Sequence, residues 1–151
     1  MIFGILVFFV FLLDQLTKLL AVHYLSSVDS FPVLQNVFHL TLVYNTGIAF
    51  GFFRHSQAIL LGAITLSLVF LLIWGARSFK QKPGEPSQKF QSFALALILG
   101  GAIGNWLDRV RIGSVVDFFD FRVWPVFNVA DSAITIGVGC YLWLLLFKKG
   151  E

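Results

Sequence analysis

Charge is what this chain lacks most. Only 13% of its 151 residues are Asp, Glu, Lys or Arg, against 58% that are hydrophobic. Soluble domains carry about a quarter charged residues. With a mean hydropathy of +0.84 and 18 Phe, a soluble fold of this length would have nowhere to hide its apolar surface. Cysteine is nearly absent. The single Cys140 excludes an intramolecular disulfide and any CxxC metal or redox site, and its apolar surroundings read as an inert buried thiol. The three histidines, His23, His39 and His55, share no metal-ligand spacing, so surface or packing roles are expected and no metal or cofactor is implied. No basic patch with interleaved aromatics exists, which argues against nucleic acid as a partner.

Long uncharged runs take the place of charge. Residues 2–25 are apolar apart from a polar island at Asp14, Gln15, Thr17 and Lys18. No basic residue precedes the run and no small-residue cleavage site follows, so it reads as a retained transmembrane helix rather than a signal-peptide core. Residues 58–76 hold 19 positions without a charge and form a second span. A third, 90–107, carries Gly100 and Gly104 in the GxxxG spacing that lets helices approach closely. A fourth, 127–147, ends at Lys148 and Lys149. The expected architecture is one membrane domain over 1–151, an α-helical integral membrane protein with four transmembrane helices.

The intervening segments differ in character. In 26–56, Pro32, Asn36, Asn45 and Gly47 punctuate a stretch in which residues 39–42 alternate with period 2, so a small strand-rich layer on the membrane surface is expected. Residues 77–89 are a polar loop with four basic residues and three breakers. Residues 110–126 are too short and mixed to cross a bilayer and read as an interfacial segment. The 77–89 loop and the C-terminal tail hold six of the eleven Lys and Arg. By the positive-inside rule both termini and that loop are cytoplasmic, and 26–56 and 110–126 face outward.

Against this background the acidic residues are unevenly placed. Four of eight lie between Gly100 and Ser132: Asp108, Asp117, Asp120 and Asp131. On the expected topology Asp14 lies about 18 Å along the first helix, past mid-bilayer. Asn105, Asp108 and Arg109 come at the outer end of the third helix, and Asp131 about one turn into the fourth. Asn45 and Asp117 belong to outer segments. Several parts of the chain therefore bring polar groups to one depth.

Each group has a structural reading as well. Asp14 and Lys18 are spaced i, i+4 and can neutralise one another. Asp108 beside Arg109 reads as an ion pair that fixes a backbone. Asn128, three residues before Asp131, resembles an N-cap with a carboxylate in the first helical turn. Asp120 reads as a solvated charge. The pair that fits chemistry is Asp117, whose setting in Val-Val-Asp-Phe-Phe raises its pKa by desolvation, and Asp131, whose helix N-terminus favours the ionised form. Such a pair can share one proton, activate a water and protonate a substrate carbonyl, as aspartic proteases do, without metal or cofactor. A proton-conducting subunit would distribute its carboxylates through the membrane depth, and a GxxxG-based assembly factor would not need them.

Five blocks, in order, resemble one family: Asp14-Gln15-Leu16-Thr17-Lys18; Asn45-Thr46-Gly47-Ile48-Ala49-Phe50; Gly100 to Asn105 with Asp108-Arg109; Val115-Val116-Asp117-Phe118; and Phe127 to Ser132. The chain resembles lipoprotein signal peptidase, the bacterial signal peptidase II, over nearly its whole length. The resemblance implies that Asp117 and Asp131 are the catalytic dyad. It implies that Asn45, Gly47, Asn105, Arg109 and Asn128 line the site and that Asp14, Lys18 and Asp108 help hold it. It implies a small extracytoplasmic β-cradle after the first span and a short interfacial helix before the fourth. The implied partners are membrane lipid and a diacylglyceryl-modified prolipoprotein, cut just before its lipidated cysteine by a monomer in the bacterial inner membrane. The 13-residue link between Asp117 and Asp131 is compact for the family.

Overall fold

In a computed structural model, the described residues are 2–28, 30–47, 57–81 and 86–147. They form helices α1 (Ile2–Leu25), α2 (Gln57–Gln81), α3 (Pro86–Ile112) and α4 (Val129–Phe147), and strands β1 (Phe31–Leu34), β2 (Phe38–Asn45) and β3 (Val115–Asp120).

The molecule is turned inside out relative to a soluble domain. Phe8 is 62% exposed and Leu146 67%, whereas Asp14 and Asn128 are fully buried and Lys18 is 3% exposed. Apolar residues outside and ion pairs inside are what a hydrocarbon solvent selects. Among the described residues, three helices are long and apolar enough to cross a membrane: Ile2–Leu25, Ser87–Ile112 and Val129–Phe147; α2 contributes a shorter apolar stretch, Leu61–Gly75.

Helix α3 is the central post. With no hydrophobic effect to drive association in lipid, helices pack through small residues that let backbones meet. A side chain at Gly100 would strike Val7 and Val10 of α1, and one at Gly104 would strike the Asp14 carboxylate. On another face Gly101 lies against the Ala130 carbonyl of α4, and Gly137 of α4 against the Ala94 carbonyl. Trp106 Nε1 donates to Thr65 Oγ1 at 3.0 Å, tying α2 to α3.

The polar stretch 77–89, expected as a loop, is mostly helical. α2 continues to Gln81 and α3 begins at Pro86, where proline's missing N–H has no intrahelical partner to lose; residues 82–85 lie outside the described set. At its other end α3 stops at Gly113, which takes the left-handed conformation (φ 72°) and donates its N–H to the Arg109 carbonyl at 3.0 Å. Such a C-terminal glycine satisfies a helix-end carbonyl and turns the chain.

The strand-rich layer expected in 26–56 is present as a three-stranded antiparallel sheet, ordered β1-β2-β3. β1 is the edge strand, where Pro32 is tolerated, and joins β2 through a turn with Asn36 at φ 62°. The third strand corrects an expectation. A short interfacial helix was implied before the fourth span, but residues 113–128 contain none. The run Val-Val-Asp-Phe-Phe-Asp is β-branched and aromatic, and it pairs along β2, which supplies the backbone partners a short helix would leave unmet. Opposite Phe118, β2 carries one extra residue in a bulge at Thr41–Leu42. The sheet rests on the C-terminal end of α1 through Phe118, Ala21 and Leu25. Phe127 closes the chain back by exchanging backbone hydrogen bonds with Phe119.

Candidate active site

A buried ionic scaffold comes first. Lys18 Nζ donates to Asp14 Oδ2, Asp108 Oδ2 and Asn105 Oδ1, each at 2.8 Å, which uses all three ammonium protons. Asp14 Oδ1 accepts the Ala130 N–H at 3.0 Å, at the start of α4, where helix N–H groups are otherwise unpaired. Asp108 Oδ2 also accepts the Val116 N–H at 3.3 Å. Three helices and β3 thus meet on one lysine. Asp14 and Lys18 form the expected i, i+4 pair. Asp108, however, does not pair with Arg109. Its partners are Lys18 and Gln15, because the α3 face that bears Asp108 points at α1. Gln15 was overlooked as a site residue, yet its Nε2 bridges Asp14, the Gly104 carbonyl and Asp108 at 3.1–3.3 Å. Its place between two ionisable residues in an otherwise apolar helix was the available signal.

Above the scaffold sit Asp117, on β3, and Asp131, in the first turn of α4. Each of their four carboxylate oxygens accepts one hydrogen bond from the protein. Asp117 Oδ1 receives Asn128 Nδ2 at 2.6 Å, and Oδ2 receives Asn45 Nδ2 at 3.0 Å. Asp131 Oδ1 receives Asn105 Nδ2 at 2.8 Å, and Oδ2 the Asn128 N–H at 3.3 Å. Three asparagine amides therefore aim their nitrogens at carboxylates, and each is held that way round by a donor on its own oxygen. For Asn45 this is the Gly47 N–H at 3.0 Å, for Asn105 it is Lys18, and for Asn128 it is the Asp131 N–H at 2.8 Å. Neither a peptide N–H nor an ammonium can accept, so the amide orientations follow from chemistry.

Asn128 and Asp131 form a reciprocal cap: the side chain of each accepts the backbone N–H of the other. Asn128 serves as the expected N-cap of α4 through its oxygen, and its Nδ2 reaches Asp117. Sequence also placed Asp120 wrongly. It is 6% exposed, not solvated, and is held by Thr41 Oγ1 at 2.8 Å and by Arg122, through its N–H at 2.8 Å and its guanidinium at 3.0 Å. Burial opposes ionisation there, but these donors outweigh it and keep the carboxyl below its ordinary range.

Asp117 and Asp131 face one cavity of about 340 Å³. Asn45, Gly47 and Arg109 line it on one side, and Trp124, Pro125 and Phe127 on another. Arg109 donates to the Gly47 carbonyl at 3.1 Å and the Asn105 carbonyl at 3.3 Å; its Nε is buried without a partner among the described residues. Burial pushes the Asp117 carboxyl up, and the nearby Asp131 charge pushes the same way. The opposing Asn45, Asn128 and Lys18 leave it at about 7. Ile48, Ala49 and Phe50, which follow Gly47 in the second sequence block, lie outside the described residues.

Residues 6–147 match the family described as signal peptidase (SPase) II. The chain belongs to the signal peptidase II family. Among its relatives, the lipoprotein signal peptidase of Caldanaerobacter subterraneus subsp. tengcongensis is 44% identical over 97% of both chains. That of Moorella thermoacetica is 40% identical over 99% of this chain and 95% of its own. Two solved structures of a bacterial membrane enzyme superpose with TM-scores of 0.78 and 0.77 at 31% and 30% identity, covering 99% and 98% of this chain and 93% and 94% of theirs. Signal peptidase II is a family of membrane proteases, in keeping with several apolar helices around a cavity that two carboxylates face.

Proposed function

We propose that this chain is an aspartyl endopeptidase that removes the signal peptide from diacylglyceryl-modified prolipoproteins, cutting just before the lipidated cysteine. The observation that carries the mechanism is the pair of carboxylates that share one cavity, bridged by Asn128, which donates from its side chain to Asp117 and from its backbone to Asp131. Two buried acids in one field titrate as a pair and hold one proton between them near neutrality. Asp117, the acid on the strand, keeps that proton. Asp131 is the ionised partner. It takes a proton from a water as the water oxygen attacks the scissile carbonyl carbon, and Asp117 delivers its proton to the carbonyl oxygen. As the tetrahedral diol collapses, Asp117 takes back a proton from one hydroxyl, the C–N bond breaks, and the leaving amine takes up the proton held by Asp131. Asn45 and Asn105 hold the carboxylates in place, and Arg109 lines the wall beside them.

The relatives' name, lipoprotein signal peptidase, supports the substrate class. The supporting topology is four spans with both termini cytoplasmic and the sheet and cavity toward the outer face of the inner membrane, as the Lys and Arg distribution favours. The enzyme acts as a monomer. The test is cleavage of a diacylglyceryl-modified preprotein and its unlipidated form by wild type, Asp117→Asn and Asp131→Asn. Wild type cleaves the lipidated form alone, and each variant inserts in the membrane but does not cleave. Processing that persists in either variant sinks the dyad.

A further inference from the structure

Strand period 2 gives β3 two working faces. Val115 and Asp117 face the catalytic cavity. Ser114 and Val116 face a second cavity of about 340 Å³ on the opposite side, between α1, the end of α3 and Tyr44 of β2. Three hydrogen-bond donors line this second cavity: the Arg111 guanidinium, the Ser114 hydroxyl and the Tyr44 phenol. Among the described residues none of the three has a hydrogen-bonded or charged partner. The floor is the Lys18–Asp108 pair. Asp108 is a carboxylate on that floor, but its oxygens are taken by Lys18, which it shares with Asp14, and by Gln15 and the Val116 N–H. Arg111, on the last turn of α3, is the charged group of the cavity that forms no salt bridge among the described residues.

A second feature continues from this one along α1. Phe8, Phe11, Gln15, Leu19 and Val22 recur every three or four residues and so share one helical face. The outer part of that face lines the Arg111 cavity. The deeper part lines an apolar cleft of about 280 Å³, walled by Phe8 and Phe11 of α1, Leu72 of α2 and Leu99 and Ile103 of α3. From Phe11 to Val22 is about 16 Å along the helix axis. A cationic, donor-rich pocket at the end of a membrane helix, followed by an apolar cleft down its side, has the polarity of one ligand.

We propose that this groove binds a glycerophospholipid of the bilayer, with its phosphodiester on Arg111, Ser114 and Tyr44 and an acyl chain along α1 into the cleft. A phosphodiester offers acceptors only, which matches a pocket that offers donors, and its charge complements Arg111. The site is separate from the catalytic cavity and needs no reacting group.

Native mass spectrometry of the delipidated full chain in mild detergent tests the assignment, with palmitoyl-oleoyl phosphatidylglycerol, dioleoylglycerol and inorganic phosphate as probes. Wild type and Asp117→Asn retain one phosphatidylglycerol equally. Arg111→Gln weakens retention about tenfold, the scale of a lost charge-assisted contact, while it still cleaves. Dioleoylglycerol, which lacks the phosphate, binds at least about tenfold more weakly than phosphatidylglycerol. Millimolar inorganic phosphate does not displace the lipid. Equal retention by Arg111→Gln, or equal affinity for dioleoylglycerol, overturns the proposal, as does loss of the lipid in Asp117→Asn or its displacement by phosphate. Should Arg111→Gln fail to fold, the pair Ser114→Ala and Tyr44→Phe removes two donors without touching charge. Unchanged retention in that double variant is equally fatal.

Discussion

Replacing Asn128 with serine separates two roles that this residue performs at once. Asn128 is fully buried. Its Oδ1 caps α4 through the Asp131 N–H at 2.8 Å. Its Nδ2 donates to Asp117 at 2.6 Å, with longer contacts to Asn105 Oδ1 at 3.1 Å and the Val116 carbonyl at 3.2 Å. Serine is among the best N-caps, and its short hydroxyl retains the first role while abandoning the second. Alanine abandons both. A cap is worth about 1 kcal/mol, and leaving the buried Asp117 carboxyl without its donor costs about 1–3 kcal/mol. Asn128→Ala therefore destabilises the protein by about 2–4 kcal/mol, and Asn128→Ser by about 1 kcal/mol less. Cleavage responds differently. Both variants lose the donor that fixes Asp117, and a loss of about 2.7 kcal/mol from the transition state is roughly a hundredfold in rate. The two variants should thus cleave at the same reduced rate and differ in thermal midpoint. Intrinsic tryptophan fluorescence during heating in detergent measures the first quantity, and turnover of a lipidated preprotein the second. Wild-type cleavage by Asn128→Ser would refute the reasoning, because the bond to Asp117 would then be dispensable. Equal midpoints for the serine and alanine variants would refute the cap.

Other outcomes follow from the same geometry. Asp117 sits at about 7 in the folded chain, against 3.8 as its ordinary value. Between these limits the folded state holds a proton that the unfolded state releases, so stability falls as pH rises from about 4 and levels off above about 7. The full difference is on the order of 4 kcal/mol, and Asp117→Asn should flatten the thermal midpoint across that range; a variant as steep as wild type would contradict it. Lys18→Met leaves Asp14 and Asp108 buried without their cation and should lower stability by about 3–5 kcal/mol, with partial recovery when Asp14→Asn is added. Gly104→Ala places a methyl group against the Asp14 carboxylate and should lower the midpoint by the equivalent of about 1–3 kcal/mol, whereas Gly62→Ala, with open space around it, should not.

Much of this was legible in the sequence where partners are close in the chain. The i, i+4 spacing exposed the Asp14–Lys18 pair, and the three-residue step from Asn128 to Asp131 exposed the cap. Period 2 exposed the strand through residues 39–42. Partners far apart in sequence were not legible. Nothing in Asp108-Arg109 says that the carboxylate turns to a lysine 90 positions earlier, since that depends on which α3 face meets α1. Asp120 reads as solvated until β3 is laid beside β2 and Thr41 comes within reach. The six residues Val115–Asp120 are short enough to be helix or strand on local grounds, and only the free edge of β2 decides between them. Gly100 and Gly104 announced a close approach, but not that the group received there would be a buried carboxylate.

The bulge in β2 has a consequence for the dyad. Beyond it, Val43 lies opposite Asp117 and Asn45 opposite Val115, so Asn45 and Asp117 are diagonal neighbours on one side of the sheet. Before it, Leu40 lies opposite Phe119. Continued as a regular ladder, with Thr41 and Leu42 each paired one-to-one, that alignment would set Leu42 opposite Asp117 and turn Asn45 to the far side. The bulge acts as a phase shifter. It lets the outer half of the sheet keep its aromatic packing while the inner half presents an amide to the acid. Deleting Thr41 or Leu42 would remove the bulge and keep Asn45 opposite Val115, whereas one residue added after Val43 would turn the amide to the far side.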